Sequence, residues 1–205
     1  MPSVARQTEA VGRAALGFCT RTGSASAVAV DDDGTNQLAM LGRWAIDLTD
    51  DRVPAQVFHA VEGWDVSTAV PQVERAIKII RWVAVRRLGE LIGGLPGIVA
   101  VGVIGGNTDR PIPVAKALTA HPLMHAAEGE LYRDAIVDAA AETPLAVSQI
   151  PRWRADELLR DSAIAQIVAG LGAQVGPPWR KEQKRAAVAA LTALRAVHVN
   201  QDSRS

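Results

Sequence analysis

Apolar and polar positions along the chain follow first the short period of strands and then the three-to-four-residue period of helices. Residues 15 to 21 and Ala25 to Val30 read as two strands joined by Thr22-Gly23-Ser24. Asp31-Asp32-Asp33-Gly34-Thr35-Asn36 reads as a turn, with Asp-Gly supplying the left-handed position. Gln37 to Leu48 follows as a third strand carrying Arg43 and Trp44. Gln56 to Glu62 carries His59 and suits a short edge strand or a loop. From about Ser67 to Ile92, the residues Val73, Ile77, Ile80, Ala84, Leu88 and Leu91 form one helical stripe. Pro71 fits the first turn of that helix, and Gly93-Gly94-Leu95-Pro96-Gly97 ends it.

Ile98 to Ile104 is a continuous apolar run, the signature of a strand covered on both faces. Gly105 to Arg110 leaves its carboxyl end, where open α/β sheets place ligands, but lacks the spacing and lysine of a phosphate loop. A helix begins at Pro113 or His121 and ends near Ala141, and a strand from Pro144 to Ile150 follows. Asp156 to Gly170 reads as a helix; Gly176-Pro177-Pro178-Trp179 leads into a last one, Arg180 to Val197, whose alanines suit close packing on a sheet. The order β-β-β-α-β-α-β-α-α implies a layered α/β architecture around a mixed sheet. With no repeat or linker, residues 15–199 read as one domain between flexible termini, 1–14 and 200–205.

Composition narrows the function classes. A hydrophobic fraction of 48% with 21% charged residues suits a soluble chain with a full core. The net charge of zero gives no global attraction to nucleic acid or to an anionic membrane, though a local basic groove remains compatible with it. Cys19 is the only cysteine, which excludes an intramolecular disulfide and a cysteine-based zinc cluster. No apolar stretch is long enough to span a membrane and no signal peptide precedes the first strand, so a cytoplasmic location is expected.

The chemistry concentrates in Thr119 to Asp134, which holds two of the four histidines. On a helix, His121, His125, Glu128 and Tyr132 fall at about 0°, 40°, −20° and 20°, one narrow polar stripe. Met124, Ala127, Leu131 and Ala135 lie about a quarter turn away as a core face. Two imidazoles four residues apart, followed by a glutamate, suit a metal, a general acid/base or a packed hydrogen-bonded cluster. Glu128, beside the core face, is the leading candidate for a desolvated, paired carboxylate, with Arg133, Lys184 or His125 as partner. Glu130 is expected on the solvated side, with Arg133 pairing to it or to Asp134. Trp179 and Glu182 share a face at the start of the last helix, and Lys184 points elsewhere. These three suit either a site, with Glu182 as metal ligand or base and Lys184 on a phosphate, or a tryptophan anchor with ordinary first-turn charges. Trp153, between Arg152 and Arg154, is expected to pack on its own domain. The triple aspartate reads as a solvated turn rather than a metal site.

Several stretches together resemble an uncharacterised bacterial protein family. They are Gly17-Phe-Cys-Thr-Arg-Thr-Gly23 with Ala25-Ser-Ala-Val-Ala-Val30, Arg43, Phe58-His59-Ala60, His121 to Arg133, and Gly176-Pro-Pro-Trp-Arg-Lys-Glu-Gln-Lys-Arg-Ala-Ala-Val-Ala-Ala190. The chain departs from that pattern at Arg21, where relatives tend to have histidine, at Ser24 for tryptophan and at Glu182 for aspartate. The layout also resembles the ribonuclease H-like fold, a mixed five-stranded sheet with helices on both faces, and within it the Holliday-junction resolvases. That resemblance implies a divalent-metal-dependent nuclease or phosphodiesterase with two Mg or Mn ions on carboxylates, zinc being less expected, and nucleic acid or a phosphorylated ligand as partner. It gives Glu128 and Glu182 the place of the later carboxylates; the residues themselves add His125 or Asp109 to the catalytic set, Lys184 as a phosphate contact and His121 as a further metal ligand. Arg133, Trp179, Arg21 and His59 would contact the ligand. Thr22-Gly23 stands where the first-strand aspartate of such enzymes is expected, which equally suits a non-catalytic binding or interaction module.

Overall fold

A computed structural model describes residues 13–33, 37–105 and 112–202. Its strands are β1 (Arg13–Arg21), β2 (Ser24–Asp32), β3 (Leu38–Asp47), β4 (Ile98–Gly105) and β5 (Ala146–Pro151). The helices are α1 (Val66–Gly94), α2 (Val114–Ala117), α3 (His121–Ala141), α4 (Arg152–Leu158), α5 (Ser162–Val175) and α6 (Lys181–Asp202). The strands form one mixed sheet in the order β3-β2-β1-β4-β5. β1, β2 and β3 pair antiparallel, while β4 runs parallel to both β1 and β5.

β1 is the central strand and is buried on both faces. Leu16 and Phe18 face one core with Ala27, Ala29, Val101 and the helices α1 and α3. Ala15 and Cys19 face the other with Val28, Ile104 and the alanines of α6. The period-two alternation of side chains therefore assigns α3 and α6 to opposite faces of the sheet. α6 sits very close to its face because the strands beneath it carry glycine. A Cβ added at Gly17 would stand 1.9 Å from the Ala186 carbonyl oxygen, and one at Gly102 would stand 2.1 Å from that of Ala189. The alanine run from Ala186 to Ala190 is the matching surface. Gly23, at φ +76°, supplies the left-handed residue that lets β1 return tightly as β2.

Several elements differ from the sequence expectation. β1 starts at Arg13, with Ala14 already buried against its neighbours, and α6 continues to Asp202. The Pro113-or-His121 alternative resolves into both, a single turn (α2) and then α3. The expected helix from Asp156 to Gly170 is two helices, because Asp161 caps α5 by accepting from the backbone amides of Ala163 and Ile164. Of the two alternatives for residues 56–62 the loop holds, with a 3-10 turn at His59–Val61. Trp153 does not pack on its domain but stands 60% exposed on α4. Glu130 is buried and ion-paired with Arg133 rather than solvated. Asp109 lies outside the described residues. Among the described residues no helix is long and apolar enough to cross a membrane.

Candidate metal centre

The polar stripe of α3 is used along its whole length to hold the segment that joins β3 to α1. The Tyr132 hydroxyl donates to the Ala55 carbonyl at 2.6 Å. One turn earlier, Glu128 accepts from the Phe58 amide at 3.1 Å and from His59 Nδ1 in a short hydrogen bond. Glu128 is almost fully buried, which a carboxylate tolerates only with such partners. At the start of α3, His121 Nδ1 lies 3.2 Å from the Glu62 carboxylate. The segment from 55 to 62 thus lies across the first three turns of α3 and brings His59 against His121 and His125.

The three imidazoles form a compact group. Ring centroids are 5.1 Å apart for His59 and His121, 4.4 Å for His59 and His125, and 4.5 Å for His121 and His125. One nitrogen from each ring lies within 4.8 Å of the other two, and no further histidine, cysteine or acidic residue joins the group among the described residues. His121 Nε2 and His125 Nε2 are 2.9 Å apart. The contact of His121 Nδ1 with Glu62 favours the proton there, which leaves the His121 Nε2 lone pair facing His125 Nε2. His59 donates Nδ1–H to Glu128, which leaves the lone pair on Nε2, and that nitrogen is buried without a hydrogen-bond partner.

Carboxylate–imidazole pairs that fix the far nitrogen as a lone-pair donor are the usual second layer of a histidine metal site. Two of the three rings have one here, His59 through Glu128 and His121 through Glu62. Zinc–imidazole bonds of about 2.0–2.1 Å place two ligand nitrogens of a tetrahedral ion about 3.3 Å apart. The observed separations, from 2.9 Å to within 4.8 Å, bracket that value. His121 and His125 are exposed, so a cation held there keeps a side open to solvent. A cavity of about 250 Å³ opens directly beside it, lined by Glu62, Trp64, Thr119, His121 and Met124 among others. Burial pushes the Tyr132 hydroxyl well above its ordinary range, and the neighbouring Glu128 charge adds to this, so it remains a hydrogen-bond donor.

The remaining candidates are placed elsewhere. Glu182 is on α6, across the sheet from Glu128, close enough to Arg185 for their charges to interact. Lys184 is exposed on the same helix. Trp179 packs against Gly172 and donates its indole N–H to the Val168 carbonyl at 3.1 Å, which seats it in the fold. Arg133 pairs with both Glu130 and Asp134 and lies over Gly105 at the end of β4. Arg21 is exposed at the end of β1. Arg43 donates to the Gly176 carbonyl at 3.0 Å and to that of Pro178, tying β3 to the segment between α5 and α6.

The carboxylate pair expected of a two-metal nuclease does not assemble. β1 reads Arg-Ala-Ala-Leu-Gly-Phe-Cys-Thr-Arg and carries no acid, and Glu128 is occupied by His59 and Phe58. The residues at the end of β1 therefore do not fit a pair of hard, oxygen-seeking cations. Sequence reasoning placed His121, His125 and Glu128 on one stripe and His59 apart from them as a ligand contact; the structure brings all four together. The signal available was the polar loop around His59 and the length of the stripe, which needs a partner over three turns.

The chain matches no protein-family model and no curated protein. Among solved structures it is similar to RuvC of T. thermophilus in complex with a Holliday junction substrate. That match has a TM-score of 0.52 and 15% identity over 88% of this chain and 91% of that one. Another Thermus thermophilus RuvC structure gives 0.47 and 15%, over 87% and 92%. With its five-stranded mixed sheet flanked by helices on both faces, this chain has the ribonuclease H-like fold.

Proposed function

We propose that the protein is a metal-dependent hydrolase acting on phosphodiesters, with one transition-metal ion held by His59, His121 and His125. The observation that carries this reading is the buried, unpartnered Nε2 of His59, on a ring that Glu128 holds through Nδ1 and whose centroid lies 4.4 Å from that of His125. Three imidazoles suit zinc and its neighbours, whereas magnesium prefers carboxylate and water oxygens. Bound there, such an ion supplies a Lewis acid and an activated water near neutral pH. Glu128 holds His59, and Glu62 holds His121 while forming part of the cavity wall, where it is placed to accept a proton from a reacting group. The choice of a phosphodiester rests on the fold shared with a resolvase solved on a Holliday junction.

The acid-free β1 favours a second reading, a non-catalytic metal- or ligand-binding member of the same fold. One experiment separates the two. The full chain, loaded with zinc, manganese or cobalt, is assayed on bis(4-nitrophenyl) phosphate and on end-labelled DNA and RNA, beside His125→Ala. Metal-dependent hydrolysis lost in His125→Ala supports the hydrolase. Stoichiometric metal binding with no turnover on any substrate supports the second reading and refutes the first.

A further inference from the structure

The cavity beside His121 is the end of a longer trough along α1. It shares Val61 and Trp64 with a second cavity of about 110 Å³, and that one shares Arg52, Arg75 and Ile79 with a third of about 560 Å³. Lys78 and Trp82 line the far end. From Val66 to Trp82 the helix rises about 24 Å, so the trough is long and narrow.

Its lining is unusual for a chain with zero net charge. Trp64 and Trp82 are 50% and 52% exposed, although a tryptophan left in water forfeits the burial that its size offers. Trp82 has two guanidinium groups against its ring, Arg52 at 5.0 Å and Arg86 at 5.1 Å from the centroid. Arg75 and Lys78 are exposed and have no ion-pair partner among the described residues. Glu74 is the one acid lining the 110 and 560 Å³ cavities, and Asp50 neutralises Arg52 with an Nε–Oδ2 distance of 2.9 Å. These two cavities therefore carry one cation in excess beside an exposed aromatic face at each end, while Glu62 lines the end at His121.

We propose that this trough binds single-stranded nucleic acid, with phosphates on Arg75 and Lys78 and bases stacked on Trp64 and Trp82. Cations that follow a backbone, interleaved with exposed aromatic rings, are the general solution for holding a strand without reading its sequence. A duplex hides its base faces and cannot use the tryptophans, and an acidic peptide offers charge without rings to stack. The trough holds about four nucleotides, the lower end of known site sizes. This deepens the hydrolase reading by naming its substrate class: a strand lying along α1 reaches the cavity at His121.

The test is fluorescence anisotropy of a labelled twenty-nucleotide oligodeoxythymidylate with the full chain. It is run in chelator and again with zinc, so that failure of the metal centre and failure of the trough are read separately. Saturable binding in chelator, stronger than for a duplex of equal length and for polyglutamate, is expected. Trp82→Ala and Trp64→Ala should each weaken binding about 5- to 150-fold. Arg75→Ala with Lys78→Ala should flatten the dependence of log affinity on log salt by about 1.4. All these side chains are exposed, so melting curves of the variants should match the parent. Equal binding by the tryptophan variants, a preference for duplex or polyglutamate, or no binding at low salt overturns the proposal.

Discussion

Replacing Glu128 by glutamine removes one charge from the most constrained carboxylate near the centre and changes almost nothing in shape. The carboxylate now accepts from the Phe58 amide at 3.1 Å and from His59 Nδ1, so it sets both the loop and the tautomer of the imidazole. Glutamine offers one acceptor oxygen for these two donors, and its amide presents N–H groups that cannot serve the second. Either the loop amide or the histidine then loses its partner, and the proton on His59 is no longer directed to Nδ1. Loss of an outer carboxylate of this kind costs about 10- to 100-fold in metal affinity, or about 1.4–2.7 kcal/mol. Isothermal titration with zinc reads this directly. A thermal melt reads it through linkage, because a ligand at one hundred times its dissociation constant adds about 2.7 kcal/mol to the folded state. For a chain of this size that is about 5–11 °C. Glu128→Gln should lose about half of that shift or more, His59→Ala should lose all of it, and Glu182→Gln should keep it entire. Zinc affinity unchanged in Glu128→Gln, or a shift abolished by Glu182→Gln, refutes the assignment of Glu128 as the orienting carboxylate of a three-histidine site.

Other perturbations follow from the same geometry. Tyr132→Phe deletes the hydrogen bond to Ala55 and should cost about 1 kcal/mol in urea unfolding, with a smaller loss of zinc affinity because the loop carrying His59 is less firmly held. Gly17→Ala and Gly102→Ala drive a methyl into the backbone of α6 and should each cost about 3 kcal/mol or more, or prevent soluble expression. Asp156 is held down to about 2 by the Arg185 guanidinium that grips it at 2.7–2.8 Å. A carboxyl with a folded value below its unfolded one stabilises above about pH 4 and loses that contribution as the pH falls toward about 2. The pair is partly exposed, so the contribution is on the order of 1 kcal/mol, and Asp156→Asn should flatten the acid limb of the stability–pH curve by that amount.

The layered sheet was legible because its signals are local and repeated. The double-sided burial of Ile98 to Ile104, the stripe of α1 and the alanine run of α6 are each read from residues along one element. The break at Asp161 and the single turn of α2 were less legible, since they depend on a cap and on a short segment with no period of its own. For the candidate site, His121, His125 and Glu128 were visible as one stripe of a helix. Their partner was not, because His59 arrives from a loop about sixty residues earlier and only tertiary packing sets it against α3. Glu182 was drawn in by the expectation of paired carboxylates. The alternation of β1 places α6 behind the sheet, and pattern alone does not say which helix covers which face.

The central claim is that three imidazoles from two distant segments share one cation. Crystals of the full chain soaked in zinc and measured on both sides of the zinc absorption edge test it most directly. The account predicts one anomalous peak about 2.0–2.1 Å from a nitrogen of each of His59, His121 and His125, with Glu128 still on the far side of the His59 ring. No peak at these rings, or a peak bound to the carboxylates of Glu128 or Glu182, would contradict it.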